Sequence, residues 1–216
     1  MVVAARKPAR PQVRDAERTR RAILDSAERI FARDGLHATK TERIASSCGV
    51  TKAMIHYYFD TKEKLYKAVL ERVFAERVHG MDFATIRQLP PAEALEAFVD
   101  RLLAQMCSKP HLGPLFALEN IQNQGKYYNQ TGGAIYRVLA DVIERGVRDG
   151  SFRKLNARHA AVNIMGACVH YFNITNNVRK LWPHTQFSDA TLLHEHTASS
   201  KAFILDSVIM PQRIPS

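Results

Sequence analysis

Apolar residues recur three and four apart along almost the whole chain, and nowhere do they alternate with polar ones between hairpin turns. The pattern predicts an all-α protein of about nine helices. Residues 1–13, which include Pro8 and Pro11, read as a flexible basic arm. A first helix is expected from about Asp15 to Asp34, with Ile23, Ala27, Ile30 and Phe31 on one face and Gly35 as its stop. Thr39 and Glu42 carry capping-box spacing for a short second helix through Ser47. Gly49 then permits a tight turn, Val50 fills the angle between helices, and Thr51 caps a third helix of about two turns ending near Phe59.

Asp60-Thr61-Lys62-Glu63 repeats the capping logic and opens a longer fourth helix to about His79, closed by Gly80. Pro90-Pro91 begins a second region, with helices expected at about 92–108, 112–124, 131–149, 157–181 and 189–210, separated by Pro110, Gly125, Gly150 and Pro183. The expected organisation is a basic arm (1–13), a three-helix unit (14–60), a connecting helix (61–80) and a larger helical domain (81–216).

Composition narrows the partners. The 216 residues are 46% hydrophobic and 24% charged, enough for a small domain and a larger one. The net charge of +10 is concentrated at one end: residues 1–80 hold 17 Lys/Arg against 10 Asp/Glu, the remainder 14 against 11. Such an excess attracts polyanions, whether nucleic acid or an anionic membrane surface. The most apolar stretch, Ala160 to Ile174, is interrupted by Asn163, His170 and Asn173 and is shorter than the ~20 residues a membrane span requires, so no membrane partner is expected. Three cysteines, Cys48, Cys107 and Cys168, sit in apolar helical patterns and read as reduced packing residues. The opening residues lack the apolar centre of a secretory signal, although their basic, acid-poor composition is shared with organellar presequences; a cytoplasmic location is expected.

Helix, short turn containing Gly, and short second helix is the helix-turn-helix arrangement, with Ser47-Cys48-Gly49-Val50 as the turn. The helix after the turn is short and polar for a core helix. Its candidate outward face offers Thr51, Lys52, Ala53, His56 and Tyr57, groups that can donate to phosphates, reach base edges or contact thymine methyls. Ile55 and Phe59 are expected in the core, Met54 partly packed, and Tyr58 is open to either role. The arginines from Arg6 to Arg21, Arg18 and Arg21 among them, are candidates for phosphate or minor-groove contact.

Residues 35–70, GLHATKTERIASSCGVTKAMIHYYFDTKEKLYKAVL, resemble the signature of the tetracycline-repressor (TetR/AcrR) family in the order and spacing of Gly35, Thr39, Ile44, Ala45, Gly49, Val50, Thr51, Lys52, Phe59, Lys62, Glu63 and Leu65. The resemblance implies Thr51, Lys52 and Ala53 at the mouth of the major groove and Tyr57 and Tyr58 on phosphates. It also implies Lys62 and Thr41 anchoring helix starts to the DNA backbone, where the helix dipole assists. His56 stands where the family usually has Tyr, and Ala53 where it often has Gly.

In the second region, Phe116 to Tyr128 mixes aromatic bulk with amides and one carboxylate, as pockets with a few convergent polar groups do. Glu119, Asn123, Tyr127, Cys168 and Tyr171 are the candidate ligand-binding residues, for a mostly apolar small-molecule effector. The resemblance implies a homodimer through the last two long helices, with two reading helices about 34–36 Å apart on a near-palindromic operator in double-stranded DNA. The function expected is a ligand-released repressor.

Two alternatives compete. One is a DNA-binding regulator controlled by a protein partner or by oxidation of Cys107 or Cys168; the other is an all-helical enzyme. Neither a nucleophile elbow nor a phosphate loop is written in the sequence, and His194-Glu195-His196 are too closely spaced to converge on a metal from one helix, so no catalytic residue, metal or cofactor is expected.

Overall fold

The computed structural model describes residues 11–128, 130–181 and 190–210, which form ten helices. Helix α1 (Pro11–Ala38) packs Ile23, Ala27 and Phe31 inward. Residues 11–13, expected in the arm, are its first turn; residues 1–10 lie outside the described residues. The helix is broken at Gly35, whose φ of 74° and ψ of 176° suit a residue without Cβ.

The expected capping box does not form. The Thr39 hydroxyl donates to the Gly35 carbonyl at 2.6 Å, and α2 (Thr41–Cys48) starts from Lys40 without a side-chain cap. The kink at Gly35 leaves an orphan carbonyl, and Thr39, buried beneath it, satisfies that group instead of the next helix. Gly49, at φ 70°, closes α2 in the left-handed region, and Thr51 accepts a hydrogen bond from the Met54 amide to cap α3 (Lys52–Phe59). Thr61 does the same for the Lys64 amide at the start of α4 (Lys62–Met81).

The chain divides within α4 into two compact units, between Val69 and Leu70. The first has a core of Ile23, Phe31, Ile44, Ile55, Leu65 and Tyr66, in which Phe31 and Tyr66 meet edge to face at 4.9 Å.

In the second unit α4 continues through Gly80, which was expected to end it. A Cβ there would meet Gln105 Nε2 at 2.7 Å, so the glycine serves close approach to α6. A short helix unforeseen from the sequence, α5 (Phe83–Gln88), follows, capped by Asp82. Then come α6 (Pro91–Ser108), α7 (Leu112–Asn123), α8 (Gln130–Asp149), α9 (Ala157–Leu181) and α10 (Ala190–Val208). Helix α6 is central, burying Phe98, Leu102, Leu103 and Met106 and packing against α5, α8, α9 and α10. The end of α10 is tied back by a single antiparallel bridge, Phe152 to Ile209, and Phe152 packs on Gly146 of α8 so closely that a Cβ on Gly146 would overlap its ring.

Gly146→Ala is therefore expected to lower the unfolding free energy by about 1–3 kcal/mol through overpacking. Urea denaturation checks this, and the loss should come without a change in DNA affinity per folded molecule.

Candidate nucleic-acid interface and effector cavity

In the first unit α3 buries only Ile55 and Phe59. Thr51, Lys52, Ala53, His56 and Tyr57 are all exposed, Tyr57 to 84%, and Met54 lies at the margin. Tyr58 is half-buried, its ring edge-on to Tyr57 at 5.2 Å. The backbone needs of the turn are met locally: the Val50 amide donates to the Ala45 carbonyl, and the Ser47 and Ser26 hydroxyls pair between α2 and α1. Thr51 caps the helix, and Ala53, His56 and Tyr57 on its open face are not needed for packing.

Lys52 pairs with Glu42 at 2.6 Å, both more than half exposed. That hydrogen bond holds the Glu42 carboxyl below its usual range. An exposed pair of this kind contributes little to stability and can open toward a phosphate or base. Thr41 is half-buried beside it, donating to Glu42 at 3.4 Å. Lys62 has a structural role that the sequence did not reveal: its ammonium donates to the His37 and Thr39 carbonyls at 3.2 and 3.0 Å, closing the kinked end of α1 against α4. Thr41, Lys52, His56 and Lys62 border one shallow recess. Arg18 and Arg21 are exposed on α1, while Arg20 lies over the Phe59 ring at 5.4 Å.

A cavity of about 300 Å³ lies within the second unit. Phe74 of α4 and Phe116 of α7 stack at 5.1 Å, and Tyr128 meets Phe74 edge-on at 5.2 Å. Arg77 and Tyr136 complete this wall; α9 supplies Met165, Val169, His170 and Asn173 opposite. A Cβ on Gly132 would come within 2.9 Å of both Phe74 and Tyr128, so the aromatic wall needs that glycine.

None of the five residues singled out from the sequence lines this cavity. Glu119, Asn123 and Tyr127 do come together, because the buried Glu119 carboxylate accepts from Asn123 Nδ2 and from the Tyr127 amide, both at 2.7 Å, and so holds the turn after α7. Cys168 is fully buried, and burial pushes its thiol up to about 12, which withholds the thiolate an oxidant attacks. Tyr171 stacks on His196 of α10 at 3.8 Å. Arg77 could have been found as the one charged position in the buried stripe of α4 that runs through Val69, Val73, Phe74 and Met81.

Among the described residues no cluster of three metal-ligating side chains forms, and no helix is long and apolar enough to cross a membrane.

A helix-turn-helix with an open polar second helix, joined to an all-helical unit that holds an aromatic-walled pocket, defines a DNA-binding transcriptional regulator. Residues 23–69 match the family described as bacterial regulatory proteins, tetR family, and residues 91–208 match the tetracyclin repressor-like C-terminal domain. The chain belongs to the tetR family. Among its relatives, the HTH-type transcriptional repressor NicS of Pseudomonas putida is 29% identical over 74% of this chain and 78% of its own. The HTH-type transcriptional regulator RutR of Escherichia coli is 23% identical over 88% and 90%. In fold the chain is similar to a TetR transcription regulator from Haloarcula marismortui, with TM-score 0.66 and 19% identity over 90% of this chain and 100% of that one. A Saccharomonospora viridis protein solved in complex with choline gives TM-score 0.68 and 20% identity over 90% and 100%. Members of the family bind operator DNA and act as dimers.

The geometry separates two lysines. Lys62→Ala is expected to weaken binding to operator and random DNA alike, to reduce the salt slope by about one charge, and to lower thermal stability through the lost bridge to α1. Lys52→Ala should instead narrow the ratio of operator to random affinity with no stability loss. Salt-series gel shifts on both DNAs, with melting curves, check the pair.

Proposed function

We propose that the chain is a repressor that binds a near-palindromic operator as a homodimer and is released by a mostly apolar small molecule. The observation that carries this reading is the open face of α3: eight residues, two of them anchors, the rest presented outward. Thr51, Lys52, Ala53, His56 and Tyr57 read or flank the major groove. Tyr58 and Thr41 contribute phosphate contacts, and Arg18 and Arg21 extend them along α1. Lys62 keeps one donor for a phosphate while its other two hold α1.

The dimer forms through α9 and α10. On α10 Ala198, Ala202 and Phe203 are exposed, Phe203 to 68%; these are apolar groups suited to a partner's cover. Ala161 and Ile164 of α9 lie in the chain's own core.

The cavity is the effector site, a reading supported by its aromatic wall and by its place in the second unit. Helix α4 begins in the DNA-reading unit and brings Phe74 and Arg77 to the cavity, so a ligand that bears on those side chains acts on the helix that carries Lys62. Release follows if the ligand binds the released conformation more tightly than the DNA-bound one. The reading assigns no catalysis and no cofactor to the chain, and places it with the chromosome in the cytoplasm.

Genomic DNA selected by the purified protein should yield one or a few sites with two-fold symmetry, and a metabolite screen on that complex should find a compound that dissociates it. Phe203→Glu should turn the dimer into a monomer by light scattering and weaken operator binding more than about tenfold. A Phe203→Glu protein that stays dimeric and keeps its affinity contradicts the assigned interface.

A further inference from the structure

Arg77 is only 5% exposed, yet among the described residues no acidic group answers its charge. Its Nε is buried without a hydrogen-bond partner. Its Nη1 approaches the Met106 sulfur at 3.8 Å, a weak acceptor, and its Cζ lies 4.9 Å over the Phe116 ring. A guanidinium does not shed its proton to escape burial, so this is a standing cation inside an aromatic-walled cavity. Charges held in such surroundings are normally paired.

The neighbouring phenols do not supply the missing charge. Burial pushes Tyr128 up to about 12 and raises Tyr136 as well, so both are neutral donors at physiological pH. Among the described lining residues Arg77 is the one Lys or Arg, which matches a single negative charge better than a phosphate dianion. Phe74 and Phe116, stacked within 14° of parallel, give the pocket apolar lining beside it. The volume of about 300 Å³ is at the small end of ligand pockets.

We infer that the effector is a small carboxylate whose anion pairs with the Arg77 guanidinium and whose apolar body lies among the aromatic side chains of the pocket. The inference rests on the cavity's being the effector site. The pairing is forked, carboxylate oxygens to guanidinium N–H groups, with the phenols of Tyr128 and Tyr136 able to donate to the remaining lone pairs. An apo protein that stores an unpaired cation gains most from the ligand that neutralises it. A cationic ligand such as choline is repelled.

Calorimetric titration of the full-length protein with benzoate, its neutral isostere benzamide, and choline tests this. Benzoate should bind at least about tenfold more tightly than benzamide, with choline weaker still. Arg77→Met should erase the preference for benzoate, and Arg77→Lys should keep part of it. The ligand-free Arg77→Met protein should melt at or above the temperature of the parent, because an unpaired buried charge has been removed. A fall of more than about 5 °C would show that the fold itself satisfies the guanidinium and would overturn the inference. So would benzamide or choline binding as well as benzoate, no benzoate binding at millimolar concentration, or an undiminished benzoate preference in Arg77→Met.

Repeating the titrations on the operator complex separates the two ideas. A neutral or cationic compound that releases DNA from parent and Arg77→Met alike removes the anion and keeps the effector site. Benzoate that binds through Arg77 but leaves the DNA complex intact keeps the anion and removes the release mechanism.

Discussion

A helix of eight residues cannot stand alone in water, and both α2 and α3 have that length. Each persists because two side chains anchor it to the first unit's core: Ile44 and Ala45 for α2, Ile55 and Phe59 for α3. With so few anchors on one side, most other residues of α3 are left outward by geometry, and these are the residues proposed to contact DNA. The kink at Gly35, the Thr39 hydroxyl beneath it and the Lys62 ammonium across it brace the end of α1 against which this small unit closes. A change in any of these alters how the end of α1 is braced without altering the outward face of α3.

The second unit answers a different constraint. Its core is made of ordinary apolar packing around α6, but one wall carries a cation that packing alone does not satisfy. Close approach at Gly132 lets Phe74 and Tyr128 line that wall, and α9 closes it from the opposite side. Helix α4 ties the two constraints together, since its first turn carries Lys62 and its later turns carry Phe74 and Arg77.

The long helices were legible because their apolar stripes extend over several turns and their ends are marked by Gly and Pro. The six-residue α5 was not, since one and a half turns hold too few positions for a period to show. The Thr39 capping box misled because its spacing is necessary but not sufficient: the same hydroxyl had a nearer orphan carbonyl to satisfy. On the DNA face, the outward residues of α3 follow from periodicity once Ile55 and Phe59 are taken as anchors.

The cavity was not legible in the same way. Its lining depends on which faces of α4, α7, α8 and α9 converge, and periodicity describes each helix alone. Glu119 is a lone carboxylate in an apolar run, and its burial serves the turn that follows α7. Arg77 escaped notice because arginines are common on exposed faces, and only its register within a buried stripe sets it apart.

The central claim is that two copies of α3 read successive major grooves of one operator. Hydroxyl-radical footprinting of the full-length protein on its selected genomic site tests it most directly. The account predicts two protected half-sites related by a dyad, their centres one helical turn (about 34–36 Å) or a whole number of turns apart. A single protected patch without symmetry, or uniform protection that spreads along the DNA with protein concentration, would contradict it.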